Sequence, residues 1–295
     1  MTAWRIGTTV IHKVLEAEIA VSLPEVLRTD DSALLARYPW PAPDFGRADG
    51  TFVLSVHGLV VDTGARRMLV DTCVGNARPS VPFLRMLDSA WLEDLADLGY
   101  PPESIDTVVC THLHFDHIGW NTRLVDGKWV PTFPRARHLV TRVEWDHRAD
   151  DADADLHDTM QPLIDAGLVD FVGNDHRVGD GVRLEAAPGH TPGQVAVVIE
   201  SGGERAVITG DLVHHPVQFT EPDVVGLADA DAVQAAATRR AFVDRYADTG
   251  TLVIGTHFPA PTAGLLRRAG GAGGAGGAGD GVDGGVRFVA DDGRR

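Results

Sequence analysis

The chain has 295 residues, a net charge of -16 and a sequence pI near 5.1, with 44% hydrophobic residues. This acidic balance excludes a protein that holds nucleic acid or anionic lipid through a basic surface, and two cysteines exclude a disulfide scaffold. Because the sequence shows neither an apolar leader nor a bilayer-length apolar run, we expect a cytoplasmic protein with one domain over residues 1–295 and no membrane or nucleic-acid partner.

The first half of the chain contains both strand and helix signals. Two β-rich runs, 51–61 and 67–72, flank a turn and predict a hairpin. Apolar residues at helical spacing predict a helix over 82–98 that ends at Gly99. The apolar run 105–110 is too short for a helix and predicts a buried strand.

The same mixture continues in the second half of the chain. Further strands are predicted over 182–187, 195–199, 206–209 and 252–255, and a helix is predicted over 230–247. Three of these strands lead directly into loops that carry Gly, His or Asp, so their ends are candidate positions for functional residues.

Two segments have an unusual composition. Six aspartates within 146–158 predict a solvated acidic loop or lid, since the run lacks the residue order of a calcium-binding loop. Residues 270–285 form a Gly/Ala repeat with few side chains to pack, which predicts a flexible insert. The repeat joins two β-compatible runs, 265–268 and 286–290, so we expect a C-terminal hairpin that contains this insert.

The strongest chemical signal follows the predicted strand at 105–110. His112 and His114 project to one side of the chain, because the side chains of extended residues alternate. Asp116 and His117 follow where the chain turns back and address a neighbouring point. We expect two divalent metal ions per chain, because this ligand set suits zinc, with manganese, iron or cobalt as alternatives.

Three later residues occupy similar positions at or just after predicted strands. His190 lies in a Pro-Gly-His-Thr-Pro-Gly turn, Asp211 ends an Ile-Thr-Gly-Asp run, and His257 ends an Ile-Gly-Thr-His run. Ligand sites of α/β sheets collect at strand ends, so the three residues complete two metal sites. The expected sites are His112, His114 and His190 for one ion, Asp116, His117 and His257 for the other, and Asp211 as a bridge.

These motifs resemble those of the metallo-β-lactamase fold hydrolases, over about residues 51–261. The His-x-His-x-Asp-His element, the Pro-Gly-His-Thr-Pro-Gly turn, the Thr-Gly-Asp strand end and the final His occur in the family's order. The resemblance implies the α+β class, with a four-layer αββα sandwich and the metal site at the edge of the two sheets. It also makes Asp71 a candidate to orient a ligand histidine, with a simple turn carboxylate as the alternative.

Within this family, the residues resemble the lactonase and methyl parathion hydrolase branch. Asp211 stands where β-lactamases of the fold have Cys or Ser, and the short segment between it and His257 leaves no room for a nuclease insert. The stretch after Asp211 looks most like methyl parathion hydrolase, and His214 stands where many homoserine lactone lactonases place Tyr. We therefore expect cleavage of small neutral esters and lactones, with organophosphate triesters as a second activity.

The resemblance implies a binuclear mechanism in which a metal-bridging hydroxide attacks the substrate. Asp116 is expected to pass a proton to the leaving group. His214 is expected to contact the substrate oxygen, with packing at the edge of the site as the alternative. Five aromatic residues are candidates for an apolar wall around the leaving group, although we expect two or three of them to be core residues instead: Phe115, Trp120, Trp145, Phe219 and Phe258. Two alternatives stay open, a mononuclear iron enzyme of the same fold with redox or persulfide chemistry and a metal-binding protein without turnover. A homodimer is also left open.

Overall fold

The computed structural model describes residues 2–29, 34–38, 40–41, 44–47, 50–78, 87–148, 154–268 and 285–291. The strands in chain order are β1 (Ala3–Ile6), β2 (Thr9–Ser22), β3 (Thr51–Asp62), β4 (Arg67–Val70), β5 (Thr107–Val109), β6 (Thr122–Val125), β7 (Lys128–Pro131), β8 (Arg137–Thr141), β9 (Val169–Val172), β10 (Arg177–Gly179), β11 (Val182–Ala186), β12 (Val195–Ser201), β13 (Glu204–Ile208), β14 (Leu252–Ile254), β15 (Ala263–Arg268) and β16 (Val286–Ala290). The α-helices are α1 (Leu23–Val26), α2 (Leu34–Arg37), α3 (Trp91–Asp97), α4 (Phe115–Ile118), α5 (Arg142–Arg148), α6 (Ala154–Asp165), α7 (Val217–Thr220) and α8 (Ala232–Tyr246).

The first large sheet has the strand order β1-β2-β3-β4-β5-β8-β9. Its first four strands are antiparallel neighbours, and the predicted hairpin of runs 51–61 and 67–72 is formed by β3 and β4. From β4 onward the neighbours are parallel. The carboxyl ends of β4 and β5 therefore lie side by side at one edge of this sheet.

The second large sheet has the order β10-β11-β12-β13-β14-β15-β16. Its neighbours are antiparallel except β13 and β14, whose parallel pairing brings their carboxyl ends together. The pairing of β15 with β16 confirms the predicted C-terminal hairpin. The Gly/Ala insert predicted at 270–285 lies, except for its last residue, outside the described part of the chain.

Three clusters of buried side chains explain how the layers stack. Between the sheets, Leu59 and Val109 of the first sheet pack in one cluster with Val197 and Ile254 of the second. Side chains of α3 and α6 cover the outer face of the first sheet, and α8 covers the outer face of the second. The chain therefore forms the predicted four-layer αββα sandwich, because each sheet buries both of its faces.

The helix predicted over 82–98 is shorter in the structure, where α3 begins at Trp91. Ser89 precedes it in a non-helical conformation, because its amide donates to Oδ1 of Asn76 at 2.8 Å. The first residues of the predicted helix, 82–86, lie outside the described residues. The helix ends as predicted before Gly99, whose φ of 92° is a conformation that glycine adopts without strain.

The acidic segment 146–158 is helical at both described ends, so the prediction of a loop was wrong there. Its start belongs to α5 and its end to α6, while residues 149–153 lie outside the described chain. Helix α6 forms because three of its side chains repeat at helical spacing and are buried against the first sheet, namely Leu156, Met160 and Leu163. Among the described helices, none is long and apolar enough to span a bilayer.

Candidate metal centre

The structure brings all seven predicted ligand residues together. The carboxyl ends of β5, β13 and β14 lead into the loops that carry His112, Asp211 and His257. The potential donor atoms of His112, His114, His190 and Asp211 lie within 4.8 Å of one another, as do those of Asp116, His117 and His257. The candidate residues therefore lie together in two groups where strands end, and their role as metal ligands stays a prediction.

The first group, which we call the three-histidine group, comprises His112, His114 and His190. Nδ1 of His114 lies 3.0 Å from Nε2 of His112 and 2.9 Å from Nε2 of His190. The three rings meet nearly at right angles, so their inner nitrogens converge on one point. Such convergence is the arrangement that three imidazole ligands adopt around a single ion.

The second group comprises Asp116, His117 and His257, and Asp211 lies between the two groups. Nε2 of His117 lies 3.7 Å from Oδ1 of Asp116, and Nε2 of His257 lies 3.5 Å from Oδ2 of the same carboxylate. Oδ1 of Asp211 is 3.3 Å from Nε2 of His117, whereas its Oδ2 is 3.4 Å from Nε2 of His190. Asp211 thus offers one oxygen to each group, as a bridging ligand does.

Two outer ring nitrogens of the three-histidine group, those of His112 and His190, have polar partners that set the tautomers. Nδ1 of His190 lies 3.0 Å from Oδ1 of Asp229, and Nδ1 of His112 lies 3.2 Å from the hydroxyl of Thr111. That hydroxyl donates its own proton to Asp71, so it accepts from His112. A neutral ring that donates through Nδ1 keeps a lone pair at Nε2, which is the form that binds a metal.

The outer nitrogens of the second group are held in the same way. Nδ1 of His117 lies 2.9 Å from Oδ2 of Asp71, and Nδ1 of His257 lies 3.2 Å from the carbonyl oxygen of Ser55. Asp71 also accepts hydrogen bonds from the amide and hydroxyl of Thr111, each at 2.8 Å. Its buried carboxylate therefore makes the contact expected of a residue that orients a ligand histidine, rather than only closing a turn.

Three buried charged residues that no sequence pattern indicates support the loops of the candidate ligands. Glu144 of α5 accepts the amide of Leu113 at 3.0 Å and that of Gly193 at 3.1 Å, so one carboxylate fastens two ligand loops. Asp229 holds His190, and its carboxylate pairs at 2.6 Å with Arg239 of α8. Each is remote in sequence from the loop that it supports, so no local pattern marks it.

His214 lies at the centre, but its ring faces Asp211. Its Nε2 is 3.2 Å from Oδ2 of Asp211, and its ring stacks in parallel on His257 with 5.4 Å between centroids. Asp211, His214 and His257 therefore form a third group of mutually close donors. The amide of His214 donates to Gln218 at 2.7 Å, which fixes the turn that carries it.

The predicted aromatic wall is mostly absent from the surface of the site. Phe115 is 38% exposed, directly beside His114. The other four side chains belong to the hydrophobic cores: Trp120 stacks on Trp91, Trp145 packs on Phe171, and Phe219 and Phe258 pack on Phe288. Packing against the cores is therefore found for more of these residues than the two or three expected, because closeness in sequence to a ligand does not decide which face of the turn a side chain occupies. A role for the five residues in a substrate pocket stays a prediction.

Burial and charge act differently on the two groups. Burial lowers the pKa of His112 well below its ordinary value and that of His114 to about 3. Burial also lowers the pKa of His117 and His257, but nearby carboxylates, chiefly Asp211, outweigh it and raise both. Burial raises the pKa of Asp211, and the surrounding histidines more than reverse this, so its carboxylate stays ionised. The carboxylates near His117 and His257 therefore favour a positive charge in the second group.

The donor set fits divalent metal ions. Nε2 of His117 and Oδ1 of Asp211 are buried and have no hydrogen-bond partner among the described residues. Buried polar atoms without a partner are rare in folded proteins, and a cation between them would remove the cost. Donors at about 2.1 Å from an ion in a tetrahedral site are about 3.4 Å apart. Separations in the site include 2.9 Å between His114 and His190 and 3.7 Å between His112 and Asp211, on either side of that value.

Comparison with known proteins bears on this region directly. A model of the metallo-beta-lactamase superfamily matches residues 51–257, a range that contains Asp71 and all seven candidate ligands. An N-acyl homoserine lactonase of a Bacillus species is 32% identical over 107 residues, which make up 36% of this chain and 38% of that protein. The chain thus matches well under half the length of that relative.

Solved structures share the fold over almost the whole chain. The hydrolase AbOPH, of the beta-lactamase superfamily, has a TM-score of 0.79 and 23% identity, covering 98% of this chain and 97% of its own. AidC, a dizinc quorum-quenching lactonase determined with a product, has a TM-score of 0.70 and 21% identity, covering 98% of this chain and 96% of its own. At these identities the likeness establishes the fold.

Proposed function

This chain belongs to the metallo-beta-lactamase superfamily, and from that premise we propose that it is a hydrolase that binds two divalent metal ions and cleaves lactone and ester bonds. The observation that carries the proposal is the position of Asp211. Its two oxygens face two separate groups of donors, and one oxygen and the facing His117 nitrogen are buried without hydrogen-bond partners among the described residues.

Two ions are favoured over one because the second group has a complete donor set of its own. The potential donor atoms of Asp116, His117 and His257 lie within 4.8 Å of one another, as those of the three-histidine group do. A mononuclear iron enzyme would leave these donors without a cation, with His117 and Asp211 unsatisfied in the interior. Their nitrogen and oxygen donors suit zinc, and an ordinary two-metal site shares a carboxylate between its ions.

Divalent ions held by these residues would supply an attacking water of lowered pKa and a positive field for the developing oxyanion. Asp116 is placed to move the proton, because its side chain is 19% exposed and adjoins both His117 and His257. As the new C–O bond forms, Asp116 takes a proton from the water. It then returns the proton to the leaving alkoxide as the old C–O bond breaks.

His214 is the residue that we assign to the substrate side. Its ring covers His257 and its Nε2 reaches Asp211, so a substrate oxygen that approaches the bridge meets this imidazole. A hydrogen bond from His214 to that oxygen stabilises negative charge as the bond breaks. The exposed ring of Phe115, next to a ligand histidine, adds apolar contact for the rest of the substrate.

The substrate class follows from charge and from the relatives. A net charge of -16 disfavours polyanionic substrates, so small neutral molecules are favoured. The curated Bacillus relative is named an N-acyl homoserine lactonase, which supports lactones as the first class to test. Aryl esters present the same carbonyl chemistry, and neutral organophosphate triesters are a second activity that a hydroxide nucleophile also permits.

The metal part of the proposal is tested by measuring bound metal after dialysis against chelator and reloading with zinc. The wild-type chain should retain close to two ions, and Asp211→Ala should lose one or both. His157→Ala is the matched control, because this histidine is 72% exposed and outside the centre. Asp211→Ala with two ions and full turnover would refute the bridging assignment.

The substrate part is tested separately on metal-defined protein. A panel of homoserine lactones, other lactones, aryl esters and phosphotriesters should give turnover for at least one lactone, and chelation should abolish it. A β-lactam and an RNA serve as comparison substrates. Turnover of either comparison substrate, with none of any neutral lactone, ester or triester, would contradict the substrate class and leave the metal assignment intact.

A further inference from the structure

The helix that covers the second sheet sends one charged side chain into the interior behind the metal centre. Arg239 of α8 is completely buried, as is the Asp229 carboxylate with which it pairs. We propose that Arg239 is a positioning residue that fixes the His190 loop and the Asp211 turn relative to each other. This inference rests on the proposed metal-dependent function and identifies a residue that sets its geometry.

The guanidinium of Arg239 reaches three separate segments. Its Nε donates to the carbonyl of Leu212 at 2.7 Å, and its Nη1 donates to the carbonyl of Pro222 at 3.2 Å. Its Nη2 donates to Oδ2 of Asp229 at 2.6 Å. A planar fork with five donors makes such a three-way contact, whereas a lysine ammonium acts as one point charge on a flexible stem.

The first arm of this arrangement leads to the three-histidine group. Asp229 uses Oδ2 for Arg239 and Oδ1 for Nδ1 of His190, so a continuous chain of contacts joins the helix to the ligand. A backbone hydrogen bond holds the same two segments together, because the amide of Ala230 donates to the carbonyl of His190 at 3.0 Å. The arm therefore fixes both the tautomer and the orientation of the His190 ring.

The second arm leads to the bridging carboxylate. Leu212 directly follows Asp211 in a single helical turn, and its carbonyl accepts from Arg239. On the other side of the turn, the amide of Asp211 donates to Oε1 of Gln194 at 3.2 Å. The turn is thus held from both sides, and loss of the Arg239 contact frees the side nearest the bridge.

The alternative is that Arg239 only stabilises the fold through a buried ion pair. Removal of one partner from such a pair leaves an uncompensated charge in the interior and destabilises any protein. A loss of stability alone therefore does not distinguish the two roles. The positioning role makes a further demand, that the metal ions bind more weakly and in altered geometry even while the chain stays folded.

The test uses Arg239→Lys, which keeps a positive charge near Asp229 but cannot contact all three segments. Asp229→Asn is the second variant, because it keeps the shape of the side chain but removes the charge that joins Arg239 to His190, while the contacts of Arg239 with Leu212 and Pro222 do not involve this residue. Arg240→Lys is the matched control, since Arg240 is the next residue of the same helix, is half exposed and pairs with Asp223. Each protein is loaded with cobalt(II), and its visible spectrum and its metal affinity in competition with a chelator are measured well below its melting temperature.

We expect Arg239→Lys to weaken cobalt binding about 10–100-fold, the usual effect of losing a partner behind a metal ligand, and to change the visible spectrum. Asp229→Asn should weaken one of the two binding steps, and Arg240→Lys should match the wild type. A folded Arg239→Lys with wild-type spectrum and affinity would overturn the positioning role. If Arg239→Lys does not fold, an unchanged spectrum in Asp229→Asn overturns it equally. A wild-type chain that binds no cobalt would refute the proposed function itself.

Discussion

The carboxylate of Glu144 gives the sharpest test of how the ligand loops are held. It accepts one amide from each of two loops, at Leu113 between two ligand histidines and at Gly193 in the His190 turn. Glu144→Gln changes only one oxygen to an NH2 group. That group faces a backbone N–H, so one of the two amides loses its acceptor in a site that is 1% exposed.

The size of the effect follows from these contacts. A buried donor without an acceptor costs about 1–3 kcal/mol, and the remaining bond weakens because its acceptor is no longer charged. Together these give a loss of about 2–4 kcal/mol in the free energy of unfolding. At about 2 °C per kcal/mol for a chain of this size, the melting temperature should fall by about 4–8 °C.

The assay is thermal unfolding of the metal-free and zinc-loaded protein. The destabilisation should appear in both, and the increase in melting temperature on adding zinc should be smaller in Glu144→Gln, because misplaced loops bind metal less tightly. Asp146→Asn is the matched control, since this carboxylate lies on the same helix with 63% of its side chain exposed. Equal melting temperatures for the two variants would refute the role given to Glu144.

Three further predictions concern a ligand neighbour, a core residue and the insert. His214→Ala should reduce turnover at least tenfold while the bound metal, measured by mass spectrometry, stays at the wild-type amount; a loss of metal would assign His214 to the ions instead. Burial lowers the pKa of His138 from 6.5 to about 3, so its contribution to stability is complete above pH 6.5 and declines by about 1.4 kcal/mol per pH unit toward pH 3. The free energy of unfolding, measured with urea, should therefore fall less between pH 7 and pH 5 in His138→Met than in the wild type. Deletion of 270–279 should change unfolding free energy by about 0.8 kcal/mol or less, because loop-closure entropy varies logarithmically with length; a larger change in stability, or a loss of turnover, would give the insert a role.

The sequence predicted the parts of the centre that local patterns determine. His112 and His114 follow a short apolar strand, and Asp211 and His257 follow two others, so alternation and strand ends were enough to place them. The start of α3 was mispredicted because Ser89 donates hydrogen bonds to the side chains of Asn76 and Glu16, which hold it outside the helix. Such contacts between segments remote in sequence leave no periodic pattern.

The same distinction explains why the ligands were predictable and their supports were not. A ligand must stand at a defined spacing, whereas a supporting charge needs only to reach a particular atom in the fold. Glu144, Asp229 and Arg239 come from α5, a loop and α8, and each contacts a segment that is at least 10 residues away. Their burial is tolerable only because every one is paired with backbone amides or an opposite charge. Substitution of a support should therefore damage metal geometry and stability together.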